Sequence, residues 1–165
     1  MAINYPKINS GHDDSKEEGD AFADFVCIEM AKDGIVLQNI NSKKFQYQVG
    51  ENLQGFEIKL DNRFNGFYPP DKPATGRLSI EIAEKTKAEN PNFIPSGIYR
   101  GDNSWLYIQG NYKEFFIFPI KLLRQLHGSG RYQEAELPTI KKFYLPLDDA
   151  RKYCAKRYIF DDNKN

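Results

Sequence analysis

The sequence predicts an α/β fold bordering on α+β: a sandwich around one mixed β-sheet with helices packed against it. Three observations carry this. An opening stretch repeats its apolar residues at helical spacing, a central run of short segments alternates apolar and polar residues, and two late helical stretches are separated by another alternating segment. At 165 residues the chain has the size of one domain with a real core. Hydrophobic residues make up 40% and aromatic residues 14%, the balance of a folded globular chain and not a disordered one.

Residues 1–14 read as a loose lead-in to a domain over 15–160, with 161–165 as a tail. Ser15 with Glu18 three residues on forms a capping box. Phe22, Phe25, Val26 and Met30 follow at helical spacing until Gly34 ends the run. Ile35–Ile40 and Phe45–Val49 read as short strands, and a turn over Gly50–Gln54 leads to a strand over Gly55–Asp61. Phe45–Val49 and Phe56–Leu60 are therefore expected to pair as antiparallel neighbours. Three prolines and a glycine make Asn62–Thr75 a loop. Arg77–Ala83 alternates again, with Leu78, Ile80 and Ile82 on one face. After an irregular piece come Trp105–Gln109, a hairpin turn at Gly110-Asn111, and Phe115–Phe118. Trp105, Tyr107 and Phe115–Phe118 read as core. Pro119 opens a helix over Ile120–Leu126, stopped by Gly128-Ser129-Gly130. Ile140–Leu145 is a strand, and Asp148 caps a last helix reaching about Ile159.

Charge and cysteine usage narrow the function. The net charge is zero, so nonspecific nucleic-acid binding driven by total charge is disfavoured. The distribution is uneven: residues 1–34 hold eight acids against three lysines, and residues 121–158 hold nine bases against four acids. A basic C-terminal face suits a phosphate backbone as well as it suits solvent. Cys27 and Cys154 read as buried free thiols in a reducing, cytoplasmic compartment. Two cysteines and two separated histidines, His12 and His127, give no zinc spacing. No apolar run approaches the roughly 20 residues needed to cross a bilayer, and the N-terminus lacks the pattern of a signal peptide. No nucleophile elbow and no glycine-rich phosphate loop are present.

The chemistry concentrates in Gly50–Asp61, GENLQGFEIKLD. Side chains alternate along a strand, so Glu57 and Lys59 share one face while Phe56, Ile58 and Leu60 share the other, under a helix. A carboxylate and an amine side by side at a sheet edge, with Glu51 just upstream, can hold a divalent cation and steady a water beside it. Asp61 is read as facing away from Glu57. Gln46 is expected on a polar strand face beside Gln48, Glu81 on the polar face of its strand, and Asp102 in a turn.

These pieces resemble the PD-(D/E)XK nuclease superfamily, in phage or mobile-element form. The likeness rests on Glu18 in the first helix, Glu51 at a turn, Glu57-Ile58-Lys59 on the next strand, then TGRLSIEI (Thr75–Ile82) and PSGIYRGDNSWLYI (Pro95–Ile108), over roughly residues 15–126. The resemblance implies a restriction-endonuclease-like fold and a Mg²⁺-dependent nuclease, with Mn²⁺ as a substitute, cutting DNA phosphodiester bonds. It implies Glu51, Glu57 and the Ile58 carbonyl as metal ligands, Lys59 as the group acting on water and phosphate, and Glu18, Glu81 and Gln46 as auxiliaries. It further implies DNA as partner and allows a homodimer, with no membrane role. The family's first acid is usually Asp, commonly after Pro. Here Glu51 follows Val-Gly, with Asp61 and Asp71 as competitors. The second reading is a silent domain of the same fold acting as a nucleic-acid or protein binding module.

Overall fold

A computed structural model describes residues 12–40 and 42–160. The elements, in order, are α1 (His12–Lys32), α2 (Lys43–Val49), β1 (Phe56–Leu60), β2 (Arg77–Glu84), β3 (Ile94–Pro95), a 3₁₀ turn (Gly97–Tyr99), β4 (Leu106–Gly110), β5 (Glu114–Pro119), α3 (Ile120–Gly128), β6 (Glu134–Glu136), β7 (Ile140–Pro146), α4 (Leu147–Tyr153) and β8 (Lys156–Ile159). The chain is mixed α/β as expected, but the strands divide between two four-stranded sheets where one was anticipated. The first runs β1-β4-β5-β8 and is mixed, β1 being parallel to β4 and the others antiparallel. The second runs β3-β2-β7-β6 and is wholly antiparallel.

Alternation in the first sheet builds two cores. Phe56, Ile58, Leu106, Ile108, Phe115 and Ile117 face α1, which buries Phe22, Phe25, Val26 and Met30 against them. Tyr107, Phe116 and Phe118, from the opposite face of that sheet, share a second core with Leu78, Ile80, Phe143 and Leu145 of the second sheet, with Leu123 and Leu126 of α3 and with Ala150 of α4. Glu57, Lys59 and Asp61 belong to this second face. A helix over Phe56 and Ile58 is thus found where the alternation placed it.

Several local expectations need correction. Residues 43–49 form a helix, not a strand, so the hairpin with β1 does not exist. Ser42 and Gln46 carbonyls accept the N–H groups of Gln46 and Gly50 at 3.0 and 2.9 Å, the i→i+4 pattern, and Phe45 stays 56% exposed. Residues 35–40 form no strand beyond one bridge, Asn39 to Asn52. Helix α1 already runs from His12, so Ser15 lies inside it and is not its N-cap. The expected lead-in is helical over residues 12–14, and its remainder, like the tail, lies outside the described residues. The last helix stops at Tyr153 and the chain turns into β8, which pairs with β5; Pro146, not Asp148, stands at the N-cap. Both cysteines are free but only half-buried, and Cys154 follows α4. Trp105 is 60% exposed, its ring lying over Gly55 with Nε1 donating to the Gln54 carbonyl at 2.8 Å. Among the described residues no helix is long and apolar enough to cross a membrane.

Candidate active site

β1 lies at the edge of its sheet, with β4 on one side and no strand on the other among the described residues. In a strand the N–H and C=O of one residue point the same way, and the direction alternates along the chain. Phe56 and Ile58 direct theirs to the open side. Asn52, fully buried, substitutes for a strand there: its Nδ2 donates to the Phe56 carbonyl at 2.7 Å and its Oδ1 accepts the Phe56 N–H at 3.0 Å. Glu51 does the same one step along, its Oε2 accepting the Ile58 N–H at 2.8 Å. The alternation sends the Ile58 carbonyl to this same edge. The turn after α2, and not a hairpin strand, therefore delivers Glu51 to Glu57-Ile58-Lys59.

Glu57 is only 1% exposed. Lys59 Nζ lies 3.1 Å from its Oε1 as an ion pair, but neither carboxylate oxygen accepts a hydrogen bond of good geometry. Burial raises the Glu57 pKa to about 7, the Lys59 charge opposing and the Glu51 charge adding to the rise. A buried carboxylate left this way is costly unless something cationic completes its shell.

Lys59 is about one-third exposed. Burial works against its ammonium, but Glu57, Glu81 and Glu51 outweigh it and hold its pKa above the ordinary lysine value. It is therefore a fixed cation at neutral pH. Glu81 owes its place to the Ser-Gly-Ile segment: Ser96 Oγ donates to its Oε1 at 2.6 Å. The 3₁₀ turn presses directly on its backbone, since a Cβ on Gly97, at φ +52°, would lie 2.2 Å from the Glu81 carbonyl oxygen. Across from Glu81 the β2–β7 register shifts, a bulge of the kind that re-aims side chains beside functional sites. Gly97→Ala should destabilise the fold by about 2–4 kcal/mol, from strain plus the backbone collision, as read by urea denaturation.

No family model, no curated protein and no solved structure gives a significant match.

The geometry thus brings together Glu51, Glu57, Ile58, Lys59 and Glu81. It places Gln46 and Asp71 elsewhere. Gln46 sits on α2 and donates to the Ile40 carbonyl, so it braces the turn instead of facing the site. Glu18 is on α1, whose apolar stripe packs on the reverse face of β1. Asp71 is exposed in the loop after β1. Asp61 requires a correction: residues 57, 59 and 61 differ by even steps, so Asp61 shares the Glu57 face. Its Oδ2 accepts the Ser79 N–H at 3.1 Å and Gln109 Nε2 at 2.8 Å, and its Oδ1 accepts the Arg63 N–H at 3.2 Å. With three donors it ties the two sheets together beside the site. Asp102 accepts the Ser104 N–H at 2.8 Å, the turn expected of it, and pairs with Arg100. His127 links Tyr99 and Glu134 at 2.7 and 2.8 Å, away from this cluster.

Sequence reasoning missed Asn52, Ser96, Gly97 and Gln109. A buried Asn completing an open strand edge has no local signal, whereas Ser96-Gly97 was visible as a motif without an assigned task. Among the described residues no three His, Cys, Asp or Glu side chains form a metal-holding group. The donor set on offer is two carboxylates and one backbone carbonyl. All three are hard oxygen donors, the donor type that Mg²⁺ and Mn²⁺ prefer.

Proposed function

We propose that this chain is a Mg²⁺-dependent nuclease with a restriction-endonuclease-like core that hydrolyses DNA phosphodiester bonds, Mn²⁺ serving in place of Mg²⁺. The observation that carries the reading is Glu57. It is buried, accepts no hydrogen bond of good geometry, is ion-paired with Lys59, and stands beside Glu51 and an edge-facing Ile58 carbonyl. Glu51, Glu57 and the Ile58 carbonyl would hold the cation. A bound divalent ion supplies Lewis-acid polarisation of the phosphate and acidifies water.

The chain's own part follows from its charges. Glu51, oriented by the Ile58 N–H, keeps one carboxylate oxygen on the strand backbone and leaves the other for a ligand. Lys59 stays protonated, so it serves as a cation against the charge that builds on the phosphate and does not take the proton from water. Glu81, held by Ser96, adds the negative charge that keeps Lys59 so. Water oxygen bonds to phosphorus as the bridging P–O bond breaks; the water gives up a proton to solvent, the leaving oxygen takes one from solvent, and the products are a phosphate monoester and a free hydroxyl.

The two sheets depart from the single mixed sheet expected of the family, and so does the first acid. It reaches the site from a turn after a helix, where the family uses a hairpin. Incubating the purified chain with labelled single-stranded, duplex and branched DNA tests the reading. Cleavage in Mg²⁺ or Mn²⁺ that disappears in EDTA is expected. Tight DNA binding without cleavage under every metal condition would instead support the silent binding module.

A further inference from the structure

Next to Lys59 opens a cavity of about 360 Å³ between β1, β2, β4 and β7. Its chemistry is unlike that of the Glu57 edge. Lys59 is committed to Glu57, and Asp61 is saturated by three donors. Arg63 and Lys142 line the cavity together with Glu81, which stands opposite Lys142 in the β2–β7 register, and among the described residues no carboxylate lies within ion-pair distance of either cation. Two acceptors in the wall lack partners: Gln109 Oε1, on a side chain 2% exposed, and Asn62 Oδ1. The Gln109 amide cannot relieve this by turning over, because its Nε2 already donates to both Asp61 and the Ser79 carbonyl, at 2.8 and 3.0 Å. The cavity is thus lined by two cations, by one carboxylate that Ser96 already engages, and by side chains carrying unpartnered acceptors.

An anion alone would satisfy the cations and leave the acceptors empty. A nucleotide satisfies both, with its phosphate against Arg63 and Lys142 and an N–H edge of its base against Gln109 Oε1. The volume sits near the lower end of the roughly 300–1,000 Å³ range of small-molecule sites, room for one nucleotide and not for a stacked base pair. A base can enter only when it is unpaired or turned out of the helix. We infer that this cavity is a nucleotide pocket adjoining the cleavage site, and that the substrate is DNA with an unpaired nucleotide next to the phosphate to be cut. The substrate assignment rests on the nuclease reading above, but the pocket itself can be tested without cleavage.

The test is binding in EDTA, followed by fluorescence anisotropy. The probes are a labelled single-stranded oligodeoxynucleotide and its blunt duplex, with the parent chain and with Lys142→Ala, a change on a partly exposed side chain. The single strand is expected to bind at least about fivefold more tightly than the duplex, and Lys142→Ala to weaken the single strand by about fivefold while changing the duplex less than about twofold. A deoxynucleoside monophosphate should displace the single strand at lower concentration than either inorganic phosphate or the deoxynucleoside. Equal affinity for duplex and single strand, an equal effect of Lys142→Ala on both, or inorganic phosphate competing as well as the nucleotide would each overturn the pocket. Nucleotide binding with this pattern in a chain that cuts no DNA would leave the pocket standing and sink the nuclease reading alone.

Discussion

Glu57→Gln is expected to abolish metal-dependent cleavage and to yield a folded protein more stable than the parent at neutral and alkaline pH. The amide keeps the shape of the side chain but removes the anion, and with it the strongest oxygen ligand for a hard cation. The stability effect follows from proton linkage. An unfolded glutamate releases its proton near 4.5, whereas Glu57 in the fold holds it to about 7 because burial and the Glu51 charge disfavour ionisation. Below the lower value both states are protonated and nothing is lost. Between the two, the folded state retains a proton that the unfolded state has released, so stability falls as pH rises, and above about 7 the loss is complete. At about 1.4 kcal/mol per unit, this amounts to roughly 3 kcal/mol. Urea denaturation near pH 4 and near pH 8 should therefore show the variant gaining stability over the parent only at the higher pH. A variant that cuts at the parental rate, or whose stability tracks the parent at both pH values, would place the chemistry elsewhere.

Lys59→Ala is expected to slow the chemical step by about 10²–10³ with little change in DNA affinity. The ammonium is held by Glu57 at 3.1 Å and by the charges of Glu81 and Glu51, so it is preorganised before substrate arrives. A contact that strengthens only as charge builds on the phosphate lowers the rate when removed and leaves ground-state binding alone. Single-turnover rates and binding isotherms on one substrate separate the cases. An alanine variant that binds DNA less tightly yet cleaves bound DNA at the full rate would reduce Lys59 to an ordinary phosphate contact. Lys59→Arg should not rescue fully, because a planar guanidinium does not reproduce the point charge that Glu57 and Glu81 enclose.

Elements with an unambiguous period were legible. Phe56-Glu57-Ile58-Lys59-Leu60 reads as a half-buried strand and is one, because its apolar face meets the apolar stripe of α1. The same holds for β2, β7 and the β4–β5 hairpin around Gly110-Asn111, where a Cβ on Gly110 would collide with the Glu114 carbonyl oxygen. Phe45–Val49 misled because five residues span little more than one helical turn, too few to separate the two periods, and Lys43, Lys44, Gln46 and Gln48 favour helix. β8 gave no signal: Lys156-Arg157-Tyr158-Ile159 is mostly exposed and is a strand only because β5 offers it an edge. The parallel pairing of β1 with β4 joins segments far apart in the chain, which no local pattern reports. In the site, Glu57 and Lys59 were legible through parity and Glu51 through proximity. Asn52, Asp61 and Gln109 were not, because their roles consist of contacts between elements.

The most direct measurement of the central claim is Mn²⁺ binding, followed by loss of the free-ion paramagnetic resonance signal, across pH in the absence of DNA. Glu57 must lose its proton to bind a cation. Affinity should therefore rise about tenfold per pH unit below the Glu57 pKa and level off above about 7, with Glu57→Gln binding no ion above background at any pH. Binding that is independent of pH, or that survives undiminished in Glu57→Gln, would contradict the assignment of this buried carboxylate as a cation ligand.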